Sequence, residues 1–242
     1  MRVLVTAIGL CLLVGTAVAQ GPAQKIDQNP VEIPRVECGF ENVWVTANFG
    51  SENGGFAPEL CDPSGLPAWD WGTDATITPP PAPFGPNVWG TVIGASYPSN
   101  TGDGLVSPLF TVVTGMNELV EIVHYLDIET NYDGCNIVVL DGAGETILYP
   151  MAGYPATINT STSYYAYCVD MEPGFTGHGT AWTTACCDLT PWDGQEIALR
   201  FDFGSDSSVT YPGWFIAGIT WGTDQFTPVE ESSWSMIKAL YR

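Results

Sequence analysis

Basic side chains are scarce in this chain. Only 6 Lys and Arg residues stand against 27 Asp and Glu residues, which gives a formal net charge of -21 at pH 7. Nucleic acid and anionic membrane surfaces repel such a chain, so we expect neither as a partner. The acidic excess has three explanations that the sequence leaves open: solubility outside the cell, binding of divalent cations, or a salt-rich habitat.

Signatures of common hydrolases are also missing. The chain contains no His-Glu-x-x-His and no Gly-x-Ser-x-Gly, the motifs of many zinc peptidases and serine hydrolases. Of its two histidines, His124 falls in an alternating apolar segment typical of a core, whereas His178 lies between glycines and is a candidate to face a ligand. Some retaining glucanases carry Glu-x-Asp-x-Glu on one strand, but here Tyr125 replaces the first acid before Asp127 and Glu129. We therefore predict that the protein is not an enzyme.

No apolar run is long enough to span a bilayer. Residues 3–14 are almost wholly apolar, but about 12 residues fall short of the roughly 20 that a spanning helix needs. A basic start precedes this run, and Ala17-Val18-Ala19 follows it, as in a secretory signal peptide. We predict cleavage after about residue 19 and a mature protein that is secreted or displayed at the cell surface without spanning the membrane.

The spacing Cys-x-x-Cys is absent, which disfavours a zinc site. Without Cys11 of the signal peptide, an even number of cysteines remains, as expected for disulfides in an exported chain. They are Cys38, Cys61, Cys135, Cys168, Cys186 and Cys187. Cys38 and Cys61 are the natural local pair. Because a ring between neighbours is strained, we expect Cys186 and Cys187 to take separate partners from Cys135 and Cys168, for about three disulfides in all.

Aromatic and turn-forming residues are abundant, with 9 Trp, 10 Tyr, 10 Phe, 27 Gly and 19 Pro. This composition favours an all-β protein with many turns. The clearest stretch, residues 119–142, predicts two strands joined by an acidic turn, a β-hairpin. Residues 196–203 alternate, with Ile197, Leu199, Phe201 and Phe203 on one face and Glu196, Ala198, Arg200 and Asp202 on the other. Further strands are predicted near residues 43–47, 88–93, 105–113, 145–149 and 213–221.

We divide the chain into a signal peptide (1–19), an N-terminal arm (20–37), an antiparallel jelly-roll β-sandwich (38–222) and a C-terminal tail (223–242). Residues 50–87 and 150–181 are predicted to be long, disulfide-pinned loops. In the tail, Trp234, Ile237 and Tyr241 follow helical spacing, with acids first and bases last. A short C-terminal helix fits this pattern, and a frayed terminus is the alternative.

Two sets of residues are candidates for binding. Hard cations prefer several carboxylate oxygens at turns, and the candidates for a structural calcium ion are Glu129, Asp133, Asp141 and Asp206. Solvated turn acids are the alternative. Exposed aromatic rings stack on sugars, and the candidates in loop-like regions are Trp69, Trp71, Tyr164, Tyr165 and Tyr167. The alternative for these rings is packing over the ends of the sandwich.

The order of short motifs carries a resemblance over about residues 88–221. The motifs are Val88-Trp89-Gly90, Ser107-Pro108-Leu109-Phe110, Tyr132-Asp133-Gly134, Asp141-Gly142, Trp192-Asp193-Gly194-Gln195, Leu199-Arg200-Phe201 and Gly213-Trp214-Phe215-Ile216. Together they resemble the MAM-like jelly-roll module that accompanies immune inhibitor A-type secreted bacterial metallopeptidases. The family usually has acidic residues after the last motif, where this chain has Ala217 and Gly218.

The resemblance implies a two-sheet sandwich with an adhesive or carbohydrate-binding role. Our leading hypothesis is therefore a non-catalytic binding or adhesion module that recognises a glycan or a surface protein. A self-associating structural surface protein is the alternative. A glycan-active hydrolase is a third and weaker hypothesis.

Overall fold

The computed structural model describes residues 33, 35–159, 165–179 and 181–224. The predicted signal peptide, most of the predicted N-terminal arm and the C-terminal tail from residue 225 onwards lie outside these ranges. Within them, no helix has the length and apolar character needed to cross a membrane.

The described residues form fourteen strands and one short 3-10 helix. The longest strands are rich in Val, Ile, Trp and Phe, residues that favour strands. Because a strand is pleated, their side chains point alternately to the two faces of the sheet. In chain order the elements are β1 (Asn42–Asn48), β2 (Ala57–Glu59), β3 (Trp69–Gly72), β4 (Val88–Thr91), β5 (Gly102–Val106), β6 (Phe110–Thr111), β7 (Glu118–Asp127), β8 (Gly134–Leu140), β9 (Glu145–Ile147), β10 (Ala156–Thr157), β11 (Pro173–Gly174), β12 (Thr183–Asp188), the 3-10 helix (Thr190–Trp192), β13 (Glu196–Gly204) and β14 (Gly213–Thr223).

Two six-stranded sheets and one small ribbon contain these strands. Sheet A has the order β12-β7-β14-β4-β3, with β1 also paired to β14. Sheet B has the order β2-β5-β13-β8-β9, with β6 also paired to β13, and β10 pairs with β11. Every pair of named strands is antiparallel. The predicted all-β antiparallel sandwich is confirmed.

The main core lies between the sheets and follows the predicted alternation of β13. Phe201 and Phe203 of sheet B are fully buried, and Trp214 of sheet A packs with its ring centroid 5.9 Å from that of Phe201. Ile197 and Leu199 lie in the same core. Burial of one such side chain contributes about 1.5–3 kcal/mol. The opposite face of β13 therefore points outward from the sandwich.

A second apolar layer covers the outer face of sheet A. Val123, Tyr125 and Phe215 point outward there and pack with Ile77 and Phe84. The latter two belong to the proline-rich segment between β3 and β4. The predicted long loop of residues 50–87 is therefore interrupted by β2 and β3, because these short strands pair with β5 and β4. The centre of sheet A, formed by β4, β7 and β14, is consequently buried on both faces.

The predicted hairpin of residues 119–142 is wrong. β7 pairs with β12 and β14 in sheet A, whereas β8 pairs with β9 and β13 in sheet B. Residues 128–133 therefore form an arch from one sheet to the other. Both strands are almost wholly buried, and each lies between two other strands of its own sheet. The turn sequence does not indicate these partners, which come from distant parts of the chain.

The disulfide pairing also differs from the prediction. Cys38 pairs with Cys186, and Cys61 pairs with Cys168, with Cα–Cα distances of 5.1 and 5.7 Å. Cys38 and Cys61 are thus not partners, although they are close in sequence. Cys135 and Cys187 are buried free thiols, so two disulfides replace the three expected. Local spacing misleads here because the sandwich brings distant segments together.

Candidate functional site

Three of the four predicted calcium ligands lie together where the arch meets sheet B. Glu129 and Asp133 belong to the arch, and Asp206 lies directly after β13. One carboxylate oxygen from each lies within 4.8 Å of the others, and all three residues are fully buried. This group, the acidic cluster, consists of oxygen donors only.

Tyr97 and the backbone hold the acidic cluster in place. The Tyr97 hydroxyl donates a hydrogen bond to Oδ2 of Asp133 at 2.6 Å and accepts one from the amide of Glu129 at 3.0 Å. The amide of Asp206 donates to Oδ1 of Asp133 at 2.8 Å. The Thr176 hydroxyl bonds the carbonyl oxygens of Glu129 and Asp133. These bonds orient the carboxylates before any ligand arrives.

Burial makes three neighbouring negative charges unfavourable. Desolvation raises the pKa of Asp133 well above its ordinary value, and the nearby Asp206 and Glu129 raise it further, against the lowering effect of its hydrogen bonds to Tyr97 and to the amide of Asp206. A hard divalent cation would supply the missing positive charge, since calcium prefers carboxylate oxygens. The residues present therefore fit calcium, with Glu129, Asp133 and Asp206 as the side chains that would hold it.

Asp141 is not part of this cluster, which corrects the prediction. It lies in the exposed turn between β8 and β9, where its Oδ1 accepts hydrogen bonds from the amides of Ala143 and Gly144. These bonds lower its pKa. The error arose because Asp141 is close in sequence to Glu129 and Asp133, although β8 separates it from the arch.

Trp69 and Trp71, two of the predicted sugar-stacking residues, serve the core instead. Trp69 is 6% exposed, and its ring centroid lies 5.5 Å from that of Trp214. Trp71 is half-buried and donates from Nε1 to the carbonyl of Phe49 at 3.0 Å. Both lie on β3, a strand of sheet A, so the prediction of a loop platform is wrong for this pair.

Of the three predicted tyrosines, two lie among the described residues and are at least partly accessible. Tyr164 lies outside the described residues. Tyr165 is exposed and Tyr167 half-buried, with their ring centroids 4.9 Å apart in an edge-to-face arrangement. The Tyr165 hydroxyl donates to Oδ2 of Asp62 at 3.1 Å. This tyrosine pair directly precedes Cys168 and remains accessible for stacking.

A polar pocket of about 140 Å³ opens on the outer face of sheet B, and its lining includes both cysteines of the Cys61–Cys168 disulfide, which connects it to the tyrosine pair. We call it the sheet B pocket. Arg200 and Asp202 of β13 form its floor, because their neighbours in sequence point into the core. Its lining consists of Cys61, Val138, Glu145, Ile147, Cys168, Glu172, Arg200 and Asp202.

Arg200 is the centre of the pocket and is only 8% exposed. Its Nη1 and Nη2 donate to the two carboxylate oxygens of Glu145, both at 2.7 Å. Its Nε and Nη2 donate to Asp202 at 2.6 and 2.9 Å. Gly104 on the neighbouring strand leaves room for this side chain, since a Cβ there would lie 2.8 Å from its Cγ and Cδ.

The electrostatics of the pocket follow from burial and these ion pairs. Burial raises the pKa of Asp202 to about 6, although the hydrogen bond and charge of Arg200 act in the opposite direction. Burial alone would lower the pKa of Arg200, but its hydrogen bonds to Glu145 and Asp202 raise it above the ordinary value. The same hydrogen bonds lower the pKa of Glu145.

Sequence reasoning did not identify this pocket. The one available signal was the outward face of β13, where Arg200 and Asp202 occupy positions that solvent-facing residues of any kind could fill. Glu145 and Glu172 come from separate segments, and only the sheet register brings Glu145 to Arg200. No spacing in the sequence indicates this combination.

His178 is half-buried rather than fully exposed. Its Nδ1 lies 2.6 Å from Oδ1 of Asp127, and its ring centroid lies 4.4 Å from that of Tyr211. An aspartate at this distance orients the imidazole. The predicted role of His178 in ligand binding remains a prediction.

No model of a known protein family matches the chain. The pre-pro-metalloprotease PrtV of Vibrio cholerae serotype O1 is 25% identical over 124 residues, which are 50% of this chain and 12% of that protein. Bacillopeptidase F of Bacillus subtilis is 24% identical over 148 residues, which are 61% of this chain and 9% of that protein. Among solved structures, the K2 cleaved adhesin domain of Lys-gingipain shares 15% identity with a TM-score of 0.41, covering 74% of this chain and 99% of that domain.

The chain thus spans only 12% and 9% of the length of the two curated relatives. It is similar to a small part of two peptidases, which agrees in part with the predicted resemblance to a module that accompanies secreted metallopeptidases. The MAM-like assignment itself remains a prediction.

Proposed function

We propose that this protein is a non-catalytic binding module of the cell exterior that recognises a glycan through the sheet B pocket. The observation that carries the proposal is the combination of buried, oriented polar groups in this pocket with the tyrosine pair beside it. Carboxylates accept hydrogen bonds from sugar hydroxyls, and aromatic rings stack on sugar faces. Two disulfides support an extracellular location, because such bonds persist in oxidising compartments.

A glycan array followed by calorimetric titration tests this proposal. We expect saturable binding of at least one glycan that falls at least tenfold in Tyr165→Ala and in Glu145→Gln. Trp44→Ala is the matched control, since Trp44 is an accessible aromatic residue on β1 of sheet A. The proposal fails if no glycan binds, or if the control loses binding as strongly as the pocket variants. Release of sugar products on prolonged incubation would favour the hydrolase hypothesis.

Calcium is the cofactor that we propose for the acidic cluster, in a structural role. The support is the buried set of three carboxylates contributed by the arch and by the segment after β13. A cation there would connect the arch between the two sheets to the segment that follows β13 of sheet B. We expect it to stabilise the rim of the sandwich without touching the sheet B pocket directly.

Self-association is a second candidate function, favoured by an apolar edge on sheet A. β1 carries no charged residue and pairs only with β14 among the described strands. Val43, Val45, Leu109 and Val113 are exposed around it, beside a groove of about 290 Å³. Uncharged edge strands promote pairing between chains. Analytical ultracentrifugation tests this function: a dimer lost in Val45→Lys supports it, and a monomer at all concentrations contradicts it.

A further inference from the structure

The guanidinium of Arg200 is not available to an anionic ligand. Four hydrogen bonds of 2.6–2.9 Å commit it to the carboxylates of Glu145 and Asp202. Arg200 and Arg35 are the two basic Lys or Arg residues among the described ones, and Arg35 pairs with Glu37. The positive charge in the sheet B pocket is therefore fully compensated from within the pocket.

What remains in the pocket is a set of hydrogen-bond acceptors. Glu172 receives a hydrogen bond from Nδ2 of Asn136 at 2.8 Å on one oxygen, which leaves capacity on the other. Asn136 itself is not part of the pocket lining: it is fully buried, lies opposite Asp202 in the strand register, and also donates from Nδ2 to the carbonyl of Pro173. Its role is therefore to hold Glu172 in place, with the second carboxylate oxygen of Glu172 left as the acceptor for a ligand.

The pocket carries a net negative charge. Three carboxylates, those of Glu145, Glu172 and Asp202, surround one guanidinium. A carboxylate or sulfate group on a ligand would meet repulsion there, whereas a positively charged donor would be attracted. A metal ion is a poorer fit than an organic cation, because within the described residues the acidic cluster is the group of three acids close enough to share an ion.

The size of the pocket limits the ligand further. Its volume of about 140 Å³ is below the roughly 300 Å³ at which sites for drug-sized ligands begin. One sugar ring or one terminal group fits such a space. Tyr165 is exposed and bonds Asp62, the residue after Cys61 of the lining, so its ring is a candidate surface for stacking and for contact with a cation at the pocket edge.

We infer that the sheet B pocket takes an amino sugar with a free ammonium group, such as a glucosamine residue. This inference rests on the glycan-binding function proposed above and names the class of sugar. The ammonium donates up to three hydrogen bonds, and the second oxygen of Glu172, whose first oxygen Asn136 already holds, can receive one of them. The ring hydroxyls then reach Glu145 and Asp202, and the ring face lies towards Tyr165.

The test compares three short oligosaccharides of equal length in calorimetric titrations at about physiological salt, where bulk charge attraction is screened. The ligands are glucosamine, N-acetylglucosamine and galacturonate oligomers. We expect the glucosamine oligomer to bind at least tenfold more tightly than the acetylated one, and the galacturonate oligomer not to bind. Glu172→Gln should remove most of the preference, because it keeps the hydrogen bond to Asn136 but loses the charge.

Glu196→Gln is the control for the overall acidity of the chain. It removes the same single charge from the exposed start of β13 and should leave the preference unchanged. Equal loss in both variants would reveal bulk attraction and overturn the inference. Equal binding of the free and acetylated oligomers, or preference for galacturonate, would overturn it and leave the glycan-binding function intact. Failure of every glycan on the array would overturn both.

Discussion

The indole Nε1 of Trp214 donates a hydrogen bond of 3.1 Å to Nδ1 of His124 in the centre of the sandwich. The bond fixes the neutral tautomer of the imidazole with its proton on Nε2. His124 is fully buried, and desolvation lowers its pKa from 6.5 to about 4. The interpretation of His124 as a core histidine is confirmed, and the pair makes folding sensitive to acid.

We expect the contribution of His124 to the free energy of unfolding to fall as the pH decreases from 6.5 to about 4, against the opposite contributions of the buried Asp133 and Asp202. In this window the unfolded state binds a proton at His124 and the folded state does not, so acid favours unfolding. At about 1.4 kcal/mol per pH unit, the loss is about 3 kcal/mol. His124→Asn keeps an acceptor for Trp214, and its denaturation profile should lack this component. His178→Asn is the control and should retain it. A His124→Asn profile that runs parallel to the wild-type profile from pH 6.5 to about 4 would contradict the prediction.

Calcium should raise the unfolding temperature, and a chelator should lower it. Saturation a hundredfold above the dissociation constant corresponds to about 2.7 kcal/mol. Asp206→Asn and Glu129→Gln should abolish the calcium effect, whereas Asp141→Asn should retain it because that residue lies outside the cluster. Calorimetric titration with calcium alone measures binding even if a variant is less stable. Equal calcium responses in the three variants would contradict the proposed site.

The calcium effect should also depend on pH. The raised pKa of Asp133 means that the folded state keeps its proton longer than the unfolded state as the pH rises above 3.8. Without calcium, this residue therefore lowers stability with increasing pH. Calcium competes with the proton and offsets that loss, so the difference in melting temperature with and without calcium should grow as the pH rises. Thermal scans between pH 4 and pH 8 measure it, and a difference that shrinks with pH would contradict the assignment.

Thiol labelling should find two protected cysteines. Cys135 and Cys187 are buried, and desolvation raises the pKa of both thiols, which suppresses the reactive thiolate. We expect an alkylating reagent to leave them unmodified in the native mature protein and to modify both after denaturation without reductant. Mass spectrometry counts the labels. Labelling of neither thiol after denaturation would reveal a third disulfide.

Gly104→Ala should damage the sheet B pocket more than the fold. The new methyl group would lie 2.8 Å from the stem of Arg200 and from Oδ1 of Asp202, so the ion pair must shift. We expect at least a tenfold loss of glycan affinity with a modest fall in melting temperature. Gly144→Ala is the matched control, because its Cβ would meet nothing within 4 Å. Unchanged affinity in Gly104→Ala would contradict the importance of this geometry.

Local patterns predicted the strands well and their partners poorly. The alternation in β13 correctly separated core residues from Arg200 and Asp202, because successive side chains along a strand point to opposite faces of the sheet. The arch between β7 and β8 was not predictable in this way, since an acidic turn with glycine fits a hairpin and a crossing equally well. The choice depends on long-range pairing with β13 and β14.

The dependence on long-range pairing also explains which site residues were predicted and which were missed. Glu129 and Asp133 were correctly grouped because they are close in sequence, and Asp141 was wrongly added for the same reason. Glu145, Glu172 and Arg200 meet only through the register of sheet B and the path of a long loop. Trp69 was misplaced because its strand is short and lies in a region rich in proline and glycine.

The two disulfides are nested, with Cys61–Cys168 enclosed by Cys38–Cys186. A protease that cuts once anywhere between residues 38 and 186 therefore produces two pieces that stay covalently joined. The nicked protein remains one covalently joined species under non-reducing conditions and can retain its pocket, because no fragment diffuses away. A single cleavage in this region therefore need not inactivate the protein.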